Sequence, residues 1–187
     1  MRWLASHASC GRLARLALTL ATAGFVAGCF QPLYGERSPD GGSALRERLR
    51  TVAVPEIAAA ANSDEARLAV QIKNDLIFNF NGGGAPLPPT HKLVLVMSGA
   101  RTVVSIDRAS ALPNVENYVL NVSYSLIDIA SNRPVLTGRA AANVSYDTLG
   151  QQRYARIAGM HDAELRAAKT ISDNVTTRLA SYFVAGT

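Results

Sequence analysis

Cysteine is scarce in this chain of 187 residues: there are two, Cys10 and Cys29, and both lie in the first 29 positions. No disulfide can therefore staple the remainder, whose stability must come from a packed core. Histidine is scarce too. His91 and His161 are the only ones beyond position 7, and neither has a metal-type partner close by in sequence. They read as surface or helix-start residues, and no metal site or cofactor is implied. Long apolar runs are also missing. The stretch Leu16–Ala27 has 12 residues, mostly apolar and uncharged, whereas a bilayer-spanning helix needs about 20. Catalytic signatures are missing as well: no serine sits in a nucleophile elbow and no carboxylate pair stands out. Gly82-Gly83-Gly84 follows a helical pattern and leads into prolines, the reverse of a phosphate loop's context. Nothing here favours an enzyme.

What is present begins with a three-zone leader. Arg2, Arg12 and Arg15 form a positive start without an acid, Leu16–Ala27 forms the apolar core, and Val26-Ala27-Gly28-Cys29 closes it. Two small residues before a cysteine resemble a lipobox, where the cleaved bond must enter a narrow protease site and sulfur carries the diacylglycerol. Residues 1–28 are thus expected to be a cleaved lipoprotein signal peptide. Cys29 would then be the lipidated N-terminus of a 159-residue mature chain, which leaves no free thiol for thiolate chemistry or a cysteine metal site. The charge balance shifts accordingly. Of 19 basic and 14 acidic residues, three arginines leave with the leader, so 16 face 14 and the net charge falls from +5 to +2. A basic surface for nucleic acid is not supported.

Residues 29–50 read as the lipidated cysteine and a tether, punctuated by Pro32, Gly35, Pro39, Gly41 and Gly42, with a random-coil reach of about 25 Å. Phe30, Leu33 and Tyr34 are apolar for a linker and suit contact with the membrane or a partner. Residues 51–187 then form a single α+β domain. A short β-rich run, Thr51–Ile57, carries Pro55 near its end. Ser63 or Asp64 caps a helix to about Phe80, with Ala69, Ile72, Leu76 and Phe80 at helical spacing. His91–Asp107 is strand-like, with Gly99 expected at a bulge or bend. Val115–Ile129 alternates, Tyr118, Leu120, Val122, Tyr124 and Leu126 on one side, Asn and Ser on the other. A turn at 130–133 leads into the strand Pro134–Tyr146. A last helix from about Asp162 to Phe183 carries the stripe Leu165, Ala168, Ser172, Val175, Leu179 and Phe183. The order β-α-β-β-β-α predicts a two-layer sandwich: a four-stranded mixed sheet with two helices packed on one face.

This topology sorts the loops by end. Arg108, Arg153 and Arg156 fall in loops at one end, and the tether enters strand one from the other. Of Arg101, Arg108, Arg139, Arg153 and Arg156, any one alone most simply solubilises a sheet; three together can bind an anion through guanidinium forks. The Asn-x-Ser/Thr triplets at Asn121, Asn143 and Asn174 lie in strand- and helix-like runs and read as solvent-facing residues.

A lipobox running into Cys29-Phe30-Gln31-Pro32-Leu33-Tyr34-Gly35, followed by β-α-β-β-β-α, resembles the lipopolysaccharide-assembly lipoproteins (the LptE family) in their alphaproteobacterial form. The resemblance covers nearly the whole chain, and the Phe-x-Pro-Leu-Tyr-Gly segment is its most specific part. It implies an outer-membrane lipoprotein, anchored on the periplasmic face, that plugs an LptD-like β-barrel translocon, assists its assembly and binds lipopolysaccharide. Phe30 after the cysteine fits outer-membrane sorting. The resemblance also implies lipid A contacts for basic residues at the tip, carried to Arg108, Arg153 and Arg156 by location alone, because the loop DRASALPNVE departs from the enterobacterial sequence. An auxiliary lipoprotein of a periplasmic ABC-type lipid or solute transporter is the competing expectation. A periplasmic hydrolase is a third, disfavoured by the absent catalytic constellation.

Overall fold

A computed structural model of the chain describes residues 45–59, 63–108, 111, 113–148 and 153–185. The signal peptide, Cys29 and the first part of the tether lie outside the described residues.

The sheet has strand order β1-β2-β3-β4. Strand β1 (Val52–Ala53) runs parallel to β2 (His91–Ile106), pairing Val52 with His91. β2, β3 (Pro113–Asp128) and β4 (Arg133–Asp147) form the antiparallel meander. Only two residues of the β-rich run Thr51–Ile57 enter the sheet; Pro55 lacks the N–H that would continue the ladder. The even positions of β3 from Tyr118 to Leu126 are all buried, as the alternation predicted. Their cross-strand partners, Leu93 and Leu95 on β2 and Ala142 on β4, are buried with them.

Gly99 makes no bulge. It pairs in register with Leu120, and the irregularity lies further on, between Val103 and Ile106. The glycine instead makes room: a Cβ there would overlap the Tyr118 hydroxyl, and one at Gly138 would overlap that of Tyr124.

Among the described residues, three helices contribute to the covered side of the sheet. Helix α1 (Leu45–Arg50) replaces the expected end of the tether. Leu45 and Leu49 stand one turn apart, Leu49 is 1% exposed, and Arg48 donates to the Phe183 carbonyl at 2.7 Å. Six residues rich in arginine are too short to show a helical period, so packing rather than propensity forms this turn. Helix α2 (Asp64–Asn81) matches its prediction: the Ser63 hydroxyl accepts from the Ala66 N–H at 3.0 Å, and Gly82 ends it in the left-handed region at φ 58°. Leu68, Ala69, Ile72, Leu76 and Phe80 form its buried stripe.

Helix α3 spans Arg153–Ala185, 33 residues, and begins nine residues before the predicted Asp162. Residues 154–158 are all exposed, so these first turns have no apolar stripe for a periodicity to reveal. Their inclusion also moves Arg153 and Arg156 from a loop onto a helix. The buried stripe runs through Ala163, Ala167, Ala168, Ile171, Val175, Leu179 and Phe183, whereas Leu165 lies on the exposed side. α2 and α3 pack against each other over one face of β2–β4, the expected two-layer arrangement.

Candidate functional site: the distal arginine end

The incoming chain reaches the sheet where β2 begins. Thr51 O accepts from the Thr90 and His91 N–H groups at 2.9 and 3.3 Å, and His91 meets Phe183 edge-on at 5.4 Å. The far end of β2, at Ile106, lies 15 residues on, roughly 50 Å away at 3.3 Å per residue. Arg108 follows directly in an exposed turn. Arg156 reaches the same end from the first turns of α3, because its partner Glu116 pairs across the sheet with Val103. Arg153 opens that helix; its side chain lies outside the described residues. The predicted grouping at the end opposite the incoming chain is thus what the backbone places together, although only Arg108 lies in a loop.

The three arginines are not equivalent. Arg156 donates to Glu116 Oε1 at 3.0 Å, and the Tyr146 hydroxyl donates to Glu116 Oε2 at 2.5 Å. Glu116 is buried, so its charge requires these partners. Burial, and then the bond to Glu116, pushes the Tyr146 hydroxyl up to about 12. Arg156 therefore staples the start of α3 to the sheet and has only its remaining N–H groups to offer a ligand. Arg108 points to solvent.

Sequence reasoning missed two parts of this end. Glu116 occupies an even position of β3, in phase with the apolar set Tyr118–Leu126; a carboxylate in that phase was the available signal. The second part is a group of exposed apolar side chains. Val103, Val104 (57% exposed) and Ile106 (61%) leave the covered region at the end of β2, and Tyr154 (89%) and Ile157 stand on the first turns of α3. Cationic and apolar groups thus share one end.

Arg101 and Arg139 do not join them. Arg101 donates to Asp64 at 2.7 Å and to Glu164 at 3.2 Å, and Arg67 donates to the other oxygen of Glu164 at 2.5 Å. Glu164 is fully buried, and this ionic cluster ties α2, β2 and α3 together. Burial opposes the Arg101 charge, but the hydrogen bonds that its guanidinium donates to Asp64 and Glu164 outweigh that cost and hold it above its usual range. His161 Nδ1 stands 3.6 Å from the same carboxylate, well inside α3 rather than at its start.

The second face of the sheet carries no helix among the described residues. Register places Ser98, Thr102, Asn117, Asn121, Ser123, Arg139, Asn143 and Ser145 there, interspersed with Val96, Ala100, Val119 and Ala141. Asn121 and Asn143 are solvent-facing on this surface, as read from sequence, and Asn174 is exposed on α3. The described residues contain no group of three metal-type side chains and no helix long and apolar enough to cross a membrane.

No family model matches the chain, and no curated protein matches it by sequence. Solved structures do share its fold. A candidate lipoprotein from Caulobacter crescentus superposes with a TM-score of 0.54 at 23% identity, over 76% of this chain and 97% of its own. Rare lipoprotein B from Shewanella oneidensis gives 0.53 at 11% identity, over 72% and 96%. An uncharacterised lipoprotein B from Nitrosomonas europaea gives 0.53 at 14%, over 72% and 83%. The domain is similar in fold to these bacterial lipoproteins: four strands in a mixed sheet with helices on one face.

Proposed function

We propose that this chain is a lipid-anchored outer-membrane protein of the lipopolysaccharide-assembly machinery. In this reading it sits on the periplasmic face, held by Cys29, plugs an LptD-like translocating β-barrel and assists its assembly. The observation that carries the reading is the amphiphilic end, which exposed Arg108 shares with exposed Val103, Val104, Ile106, Tyr154 and Ile157, roughly 50 Å along β2 from the point where the chain arrives. Guanidinium groups suit lipid A phosphates, and the exposed apolar side chains suit its acyl chains. The lipobox at Cys29 supports the same reading, as does the sheet face that carries no helix among the described residues, whose many Ser, Thr and Asn side chains suit a polar lumen wall.

Two measurements test it. Arg108→Glu should weaken binding of purified lipopolysaccharide about tenfold and flatten its dependence on salt, since an attractive charge pair is replaced by a repulsive one; unchanged binding rejects the contact. Pull-down of the acylated protein from outer membranes in mild detergent should bring down a large heat-modifiable barrel in stoichiometric amount. Recovery of a transporter ATPase complex instead would replace the plug reading with the auxiliary-lipoprotein one.

A further inference from the structure

The two edges of the sheet are finished differently. The edge of β2 is covered at its start by β1, and its far part is broken by register shifts between Val103 and Ile106. Natural sheets blunt their edges with such bulges and short cover strands. On β4 the corresponding irregularity and Pro134 are confined to the strand's beginning. From Leu136 to Asp147 it pairs with β3 without interruption, and no described strand lies on its other side.

Hydrogen bonds show which backbone groups face outward. The Thr148 N–H donates inward to Asn114 O at 2.9 Å, whereas Ser145 O accepts from the Arg166 guanidinium of α3 at 3.4 Å. In an antiparallel strand the N–H and C=O of one residue point the same way and alternate along the chain. Thr137, Arg139, Ala141 and Asn143 therefore present their N–H and C=O groups outward, as Ser145 does. Where this row ends at Asn143, a groove of about 510 Å³ opens between Asn143, Val144 and Ser145 of β4 and Arg166, Lys169, Thr170 and Asp173 of α3.

We infer that the outer edge of β4, residues 137–143, receives an extended segment of a partner protein by strand addition. A regular edge with no described strand beside it, leading at one end into a helix-lined groove, is the arrangement in which main-chain bonds supply affinity and alternate side chains supply specificity. The segment is polar on both sides. One side continues the open face beside Thr137, Arg139 and Asn143; the other meets the groove at Asn143, where Arg166 is paired with Asp162 and Lys169, 72% exposed, with Asp173. A second copy fits less well. Pairing β4 with β4 sets the strands about 4.8 Å apart, while α3, which lies chiefly over β4, needs about 8–10 Å from another helix. A lone strand brings no helix with it.

The test uses a library of ten-residue peptides displayed on phage, selected against the full-length protein in detergent. Peptides polar at successive positions, so that both sides of the added strand are polar, should be enriched. A synthesised winner should slow amide exchange at Arg139, Ala141 and Asn143 at least tenfold and bind Ala141→Pro at least tenfold more weakly. That proline removes an outward N–H and leaves the ladder to β3 intact. A second variant, Lys169→Glu with Arg166→Glu, removes the partners of Asp173 and Asp162 and should raise the share of basic side chains among the selected peptides. Failure to enrich peptides, or equal binding to Ala141→Pro with its circular dichroism unchanged, overturns the inference. Protection of these amides by raising the protein concentration without peptide also overturns it, in favour of a second copy.

Discussion

The two ends of this domain are secured by different chemistry. Where the chain arrives, Leu49 of α1 is buried, Arg48 grips the Phe183 carbonyl, and His91 meets the Phe183 ring. That end is closed by apolar packing. At the distal end the first turns of α3 bury nothing apolar; Arg156 on Glu116, with Tyr146 behind it, makes the link. Packing scales with buried area and is indifferent to pH, whereas a carboxylate link depends on charge and on its partners. The difference separates a foundation from a movable part: local opening costs least where few apolar contacts are broken.

Breaking the packed end should have the largest effect. Leu49→Ala removes a fully buried leucine and should cost about 2–5 kcal/mol, read as a fall in Tm of the whole domain; a change under about 0.5 kcal/mol would mean that α1 is not part of the fold. At the distal end, Glu116→Gln should cost less, about 1 kcal/mol, because Arg156 is largely exposed and the pair is screened. Its signature should be local, with amide exchange in residues 154–160 accelerating while the amides of β3 stay protected. Uniform acceleration throughout would make the two ends alike. The smallest effect sharpens the contrast by pH. Tyr146 and Tyr118 are both raised to about 12 in the folded state, so the proton is bound more tightly when folded. Their contribution is fully present below the ordinary tyrosine range near 10 and is lost as pH rises toward 12. Stability should decline across that window, and Tyr146→Phe with Tyr118→Phe should flatten the decline; an unaltered slope would assign it to other groups.

The sequence signals varied in strength along the same lines. Helix α2 was legible from cap to stop, because Ser63, the apolar period and Gly82 all act locally. Strand β3 was legible because one face is buried and the side-chain period is two. The start of α3 was not: residues 154–158 face solvent on every side, and what holds them is a carboxylate some 40 positions away in sequence. Helix α1 was hidden for a related reason, since only Leu45 and Leu49 mark it and their partners are distant. At the candidate site, the shared location of Arg108, Arg153 and Arg156 followed from strand order. That Arg156 is already engaged did not, because the pairing depends on which side of β3 Glu116 occupies.

The two tyrosine–glycine pairs have a consequence for how the meander finds its alignment. Tyr118 crosses Gly99 and Tyr124 crosses Gly138, one on each flank of β3. If either hairpin formed two residues out of step, Tyr118 would meet a side chain at Met97 or Arg101, and Tyr124 would meet one at Leu136 or Ala140. Misaligned hairpins would keep most of their backbone bonds and lose the seat for a ring. The central strand thus carries a proofreading device on each side, favouring the correct pairing during folding by shape, at positions where the alternation of apolar residues alone cannot tell one even shift from another.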